Sequence, residues 1–390
     1  MASEVFPRLW TLTVLLSERI LARMSNGGND GPEPRALPIP ADWDDVTPAW
    51  MTAALTGRHP GAEVSEVKLV LRDDGNNRRA RFGVTYGAGT GPDTVFCKAE
   101  GLGEHRVLHR NNGNMFNEPD LFASGAPLPV DHPLAYLVVI DRPAEDYVIV
   151  MEDVTGRGAD PRDATRPMTP DQVAHGLRGL ARLHSRYWGF SGETNPELAW
   201  LRTWAATEGF AGALRTRVPT GVERAVGLLP DEVGSRSADE LVGLWWRYVD
   251  SLAADPPTLL HGDAHIGNTY VLPDGDVGFL DWQVARRGGW SQDIGYFLVG
   301  SLTVADRRAH EADLVAEYLG ALELPGERRL SREAGWLSYR ASAAYGLAVW
   351  LSTLGTDGWQ RRDVSLALVE RYAAAFVELE TEAALDRLRS

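Results

Sequence analysis

The stretch that most constrains this chain runs from Leu259 to Gln283, LLHGDAHIGNTYVLPDGDVGFLDWQ. An apolar run, Thr258-Leu259-Leu260, delivers His261-Gly262-Asp263 to a loop, and Asn268 follows five residues after Asp263. Two short runs then flank Pro273-Asp274-Gly275, and the second ends at Asp281. Proline presets φ and glycine tolerates positive φ, so the spacing predicts a tight hairpin. Asp263, Asn268 and Asp281 therefore sit at strand ends, where their side chains can converge. Asp, Asn and Asp form a hard oxygen set, the kind that suits Mg²⁺ shared with phosphate oxygens.

The rest of the chain sets the context for that hairpin. At 390 residues it is long enough for a large core and suggests two lobes rather than one. Its net charge of -15 argues against nucleic acid or an anionic membrane as partner, since both call for Lys and Arg clusters. The same charge points weakly toward cationic small molecules. A single cysteine, Cys97, excludes an intramolecular disulfide framework and fits a reducing cytoplasm. Cys97 lies in a strand-like run and reads as a small buried hydrophobe. Leu9 to Leu16 is apolar but too short to span a bilayer. It reads as an amphipathic appendage, or as sequence upstream of a start at Met24.

In chain order, residues 1–40 read as an extension and flexible linker, because Ser25 to Pro40 is rich in Gly, Pro and Asn. Thr47-Pro48 opens a helix to Leu55. Residues 41–152 then form a strand-rich lobe, with period-two runs beginning at Glu63, near Arg79, at Asp93, at Ala135 and at Tyr147. A hinge is expected near Glu152 to Gly156, and residues 153–390 form a helical lobe. Thr169-Pro170 and Ser237 to Glu240 carry helix-start signals, as do Thr303 to Asp306. Further helices are expected over 332–354 and, as one continuous element, 362–385. The fold class is thus α+β, an antiparallel-sheet N-lobe joined to a mainly helical C-lobe.

HGDxxxxN followed by a strand ending in Asp resembles the catalytic core of the aminoglycoside phosphotransferase and choline kinase-like (ecdysteroid kinase-like) small-molecule kinases, which have a protein-kinase-like fold. The resemblance covers roughly Trp43 to Ala375. It implies an ATP- and Mg²⁺-dependent phosphotransferase acting on a hydroxyl of a small organic molecule. Asp263 would accept the hydroxyl proton, and Asn268 and Asp281 would hold Mg²⁺. Lys98, in VFCKAEG, would pair with ATP phosphates, and Glu118, in NEPDLF, would hold Lys98. Pro119 disfavours helical geometry at Glu118, so the helix is expected to start at or after it, with Asp120 or Glu104 as substitutes. The phosphate-covering loop would be Asp73 to Arg78, with Gly75 its one glycine and Asn76, Asn77 or Arg78 as added donors. Glu152 would mark the lobe connection whose main chain meets adenine. Asp293 reads as an N-cap that braces the catalytic loop, and His261 as a buttress.

Two other readings stand beside this one. A catalytically silent nucleotide-binding module would lack one of the reactive positions, whereas Lys98, Asp263, Asn268 and Asp281 are all present. His261, Asp263 and His265 also spell HxDxH, a pattern that a zinc hydrolase could use. Trp188, Trp200, Trp204, Trp245, Trp246, Trp336, Trp350 and Trp359 of the helical lobe read mostly as core, with a minority lining an acceptor cleft. Neither the acceptor nor the oligomeric state is legible.

Overall fold

The computed structural model describes residues 37–326 and 329–388, so the expectations for Leu9 to Leu16, for Met24 and for most of the linker lie outside the described residues. Thr47 caps α1 (Pro48–Leu55) by accepting from the Trp50 N–H, with Pro48 at the first position, where its missing N–H costs nothing. Five strands follow: β1 (Glu63–Arg72), β2 (Arg78–Ala88), β3 (Thr94–Ala99), β4 (Ala135–Asp141) and β5 (Asp146–Glu152). They form one antiparallel sheet in the order β1-β2-β3-β5-β4. Alternation holds in β2, where Ala80, Phe82 and Val84 are buried and Trp43 packs edge-on against Phe82. In β1 it does not produce a buried face: this edge strand leaves Leu69, Val70 and Leu71 exposed. β3 is buried almost throughout, Cys97 included, and burial pushes the Cys97 thiol up, so it is no nucleophile at neutral pH.

Between β3 and β4 lie α2 (Glu104–Asn112) and α3 (Asn117–Ala123). After β5 a short 3₁₀ turn, Val154–Arg157, leads into the helical lobe and to β6 (Asp160–Pro161). Capping boxes start α4 (Pro170–Arg186), through Thr169 and Gln172, and α6 (Ala238–Ser251), through Ser237 and Glu240. Between them runs α5 (Glu208–Arg224), which periodicity does not reveal. It contains Gly209, Gly212, Pro219 and Gly221, weak helix formers. Tertiary packing overrides that weakness, and Gly221 is required because a Cβ there would lie 1.9 Å from the Leu351 carbonyl oxygen.

Pro256-Pro257 ends the polar approach to β7 (Thr258–Leu260), which pairs with β10 (Arg286–Gly288). β8 (Thr269–Val271) and β9 (Val277–Phe279) form the expected hairpin about Pro273-Asp274-Gly275. α7 (Ser291–Ser301) is wholly buried, and α8 (Val304–Ala321) starts at a Thr303 cap. α9 (Arg332–Leu354) runs through the core of this lobe against α5, α6 and α7. The single helix expected over 362–385 is two, α10 (Arg362–Glu378) and α11 (Thr381–Leu388). The break falls at Glu380, whose φ of 47° no continuous helix allows. Among the described residues no helix is long and apolar enough to cross a membrane.

Candidate active site

The loop His261-Gly262-Asp263 is fixed from three sides. From below, Asp293 of α7 accepts the backbone N–H groups of His261 at 2.7 Å and Gly262 at 2.9 Å. Burial alone would raise the Asp293 pKa, but its hydrogen bond with His184, nearby charge and these amides hold it below the usual carboxylate range. Asp293 is the third residue of α7 and Trp290 precedes the helix, which corrects the N-cap reading while keeping the bracing one. From the side, Gln292 Nε2 and Arg286 Nη2 donate to the Gly262 carbonyl at 2.8 and 3.0 Å. From within, His261 Nδ1 accepts from the Asp263 N–H, so its Nε2 carries the proton donated to the Leu280 carbonyl at 2.8 Å. Gly262 has φ 83°, and a Cβ would lie 2.2 Å from the Val284 carbonyl oxygen, so only glycine fits.

These bonds present Asp263 with its side chain one-third exposed. Asn268 reaches back with Nδ2 to the Asp263 carbonyl at 2.9 Å and to Oδ2 at 3.0 Å, which orients the carboxylate and leaves the Asn268 amide oxygen without a hydrogen bond among the described residues. The Leu280 N–H bonds the Asn268 carbonyl, tying the start of β8 to the end of β9 and so to Asp281. Asp281 adopts φ 61°, a left-handed conformation that turns its carboxylate back toward the sheet lobe.

There Lys98 Nζ lies 2.9 Å from Asp281 Oδ1 and 2.5 Å from Glu118 Oε2. Burial disfavours the Lys98 ammonium, but Asp281 and Glu118 together raise its pKa above the ordinary lysine value. Asp281 is pulled the other way: burial would raise it, yet Lys98 brings it down to about 2. Burial dominates at Glu118 and lifts its carboxyl above normal. Pro119 does not keep Glu118 out of the helix. α3 begins at Asn117, one residue earlier than expected, and in a first turn the proline forfeits no intrahelical bond. Glu118 Oε1 also takes the Trp282 N–H at 3.2 Å. Asp120 instead pairs with Arg142, and the Glu104 side chain lies outside the described residues.

The structure thus gathers Lys98, Glu118, Asp263, Asn268 and Asp281. Gly75 and Glu152 share no hydrogen bond or ion pair with them, and Gly75 lies beside Arg79, whose Nη2 would be 3.0 Å from a Cβ there. Gly75 is exposed in the β1–β2 turn with its N–H bonded to the Asn77 carbonyl. Asn77 and Arg78 are buried and spent on Tyr147 and on backbone carbonyls of Pro40, Ala41 and Glu100. Glu152 marks the lobe connection, where its carboxylate pairs with Arg157 at 2.7 Å and its N–H bonds the Leu134 carbonyl. Val150 and Met151 are in the sheet between β3 and β4. The zinc pattern finds no support: both His261 ring nitrogens are engaged, and among the described residues no group of three His, Cys, Asp or Glu is placed to hold a metal.

Two cations near the site escaped the sequence. Arg79 is the cross-strand neighbour of Lys98 and helps hold Asp281 ionised. Its signal was the register of β2 against β3. Arg286, which holds the Gly262 carbonyl, sits in a run, Ala285 to Gly289, with no motif of its own.

The model of the phosphotransferase enzyme family matches residues 87–332, well over half the chain. No curated protein sequence matches. Among solved structures, a spectinomycin phosphotransferase in complex with ADP and spectinomycin is similar at 16% identity over 86% of this chain and 99% of its own, with a TM-score of 0.48. An ethanolamine kinase of Plasmodium vivax is similar at 12% identity over 79% and 81%, with a TM-score of 0.46. A choline kinase of Streptococcus pneumoniae is similar at 15% identity over 84% and 98%, with a TM-score of 0.43.

Proposed function

The chain belongs to the phosphotransferase enzyme family, and we propose that it moves the γ-phosphoryl group of ATP to a hydroxyl of a small organic molecule, in the cytoplasm and with Mg²⁺. The observation that carries this reading is the buried Lys98–Glu118–Asp281 ion cluster standing beside an Asp263 that Asn268 orients. In such a reaction the protein supplies position and charge rather than covalent chemistry.

Asp263 takes the proton of the acceptor hydroxyl as that oxygen bonds to phosphorus and the bond from phosphorus to the ADP oxygen breaks. Its partial exposure leaves room for the hydroxyl, and the Asn268 bond to Oδ2 fixes which way the carboxylate points. Lys98, held by Glu118, presents a fixed positive charge to the phosphates. The donor set fits Mg²⁺: Asp281 spends Oδ1 on Lys98 and keeps Oδ2, while Asn268 spends its nitrogen on Asp263 and keeps its oxygen. When bound there, the ion neutralises charge on the phosphate oxygens.

The test is ADP release by the full chain with Mg·ATP across a panel of hydroxylated metabolites and antibiotics. At least one member stimulates release, and Asp263→Asn abolishes that stimulation while Mg·ATP binding persists. Equal turnover by the variant would remove Asp263 from the role of base.

A further inference from the structure

Arg286 is a second buried cation beside the catalytic loop, only 7% exposed. Its guanidinium lies 3.6 Å from the centre of the Trp204 ring. Nε donates to Gln292 Oε1 at 3.2 Å, and Nη2 donates to the Gly262 carbonyl at 3.0 Å and the Tyr345 hydroxyl at 3.1 Å. All of these partners are neutral. Among the described residues no carboxylate pairs with Arg286, and its Nη1 makes no hydrogen bond. A charge taken out of water with no counter-ion is costly, and stacking on indole offsets only part of that cost.

The surroundings add a second cation. The Arg287 N–H bonds the Arg202 carbonyl and the Trp204 N–H bonds the Arg287 carbonyl, so Thr203 lies opposite Arg287 in a parallel bridge. Side chains alternate along extended chains, so Arg287 and Thr203 share one face, where they are hydrogen-bonded. Arg202, Trp204 and Arg286 share the other. Arg202 is exposed, forms no ion pair among the described residues, and reaches the turn ahead of α3, where a Cβ on Gly113 would lie 2.2 Å from its Nη1. Asn117 at the start of α3 donates to the Ala285 carbonyl, so the start of that helix lies against the residue before Arg286. Arg286 Nη2 also donates to the carbonyl of Gly262, the residue before Asp263, which places the guanidinium beside the loop that carries the candidate base.

We propose that Arg286, with Arg202 at the rim, binds an anionic group, a carboxylate or a phosphate, on the same acceptor molecule whose hydroxyl loses its proton to Asp263. This rests on the phosphotransferase reading and narrows its substrate class. It also reverses the hint from net charge: -15 is spread over the whole chain, whereas the acceptor meets the local field. The planar fork of Arg286 suits a two-oxygen anion, and Nη1 is the donor left over for it.

The test uses the full chain saturated with Mg·ADP and calorimetric titration of matched pairs: glycerate against glycerol, and pantothenate against panthenol, with inorganic phosphate alongside. In at least one pair the anion binds roughly 10- to 100-fold more tightly than its neutral twin, the range of a hydrogen bond to a charged group. Arg286→Met removes that difference and leaves the affinity for Mg·ADP unchanged, whereas Arg286→Lys keeps part of it. The proposal is overturned if neutral twins bind as well as the anions, if no anion binds, or if the preference survives Arg286→Met. Failure of the wild-type chain to bind Mg·ADP would instead overturn the phosphotransferase reading.

Discussion

Two buried cations flank the loop that carries Asp263, and the chain treats them in opposite ways. Lys98 is enclosed by two carboxylates, Glu118 from α3 and Asp281 from the end of β9. Arg286 is enclosed by a carbonyl, an amide, a phenol and an indole. In the first arrangement the ammonium already has two carboxylate partners within the chain, and the pairs lock three elements from distant parts of the sequence into one geometry. The second is incomplete, because a full positive charge is held by dipoles alone. Buried charge that is paired sets position, whereas buried charge left unpaired stores an affinity for whatever brings the missing sign.

Breaking the paired side has the largest expected effect. Lys98→Met leaves the buried Glu118 facing the partly exposed Asp281 with no cation between them. That should cost about 3 kcal/mol of stability, the low end for a broken buried pair because Asp281 is 35% exposed. Denaturant unfolding checks it, and phosphotransfer should fall below detection. A loss under about 1 kcal/mol would mean that water screens the cluster and the contrast with Arg286 is one of degree.

A third buried charge sharpens the comparison from the acidic side. Asp255 lies before the Pro256-Pro257 step, and burial pushes its carboxyl up to about 6. A carboxyl raised above its unfolded value of about 3.9 contributes stability that is fully present below that pH and is lost as pH rises through about 6. Asp255→Asn should therefore match the wild type in stability near pH 4 and exceed it by about 3 kcal/mol at pH 8. Equal stability at both pH values would show that Asp255 ionises in the folded chain without penalty.

How much of this was legible in the sequence depends on how far apart the partners lie. Asp263, Asn268 and Asp281 fall within one local stretch whose turn chemistry is explicit, so the hairpin and its oxygen ligands could be read directly. Glu118 was reachable through resemblance, and Pro119 gave the wrong helix start because a proline costs little in a first turn. Arg286 was not legible at all. Its meaning lies in the absence of an acid around it and in a ring, Trp204, supplied by a distant segment, and neither fact has a local signal. The break at Glu380 and helix α5 were lost for a related reason. Packing against α9 decides both, against or without help from propensity. The many tryptophans divide only in three dimensions: Trp245, Trp282, Trp290 and Trp350 are core, whereas Trp204 is half-buried over a cation.

The smallest effect is the one that bears most directly on Arg286. Arg286→Met removes a large buried side chain and replaces it with an apolar one that still packs on Trp204. Three hydrogen bonds are lost, yet the Gly262 carbonyl keeps its bond from Gln292 Nε2 at 2.8 Å, so that acceptor is not orphaned. Against those losses stands the relief of an uncompensated charge, which apolar replacement of buried ionic groups often repays. Stability should therefore change by no more than about 1 kcal/mol, far less than for Lys98→Met, in the same denaturant measurement. A loss of about 3 kcal/mol or more would show that the dipoles around Arg286 satisfy it as fully as carboxylates satisfy Lys98, and the two cations would then be alike in energy though not in chemistry.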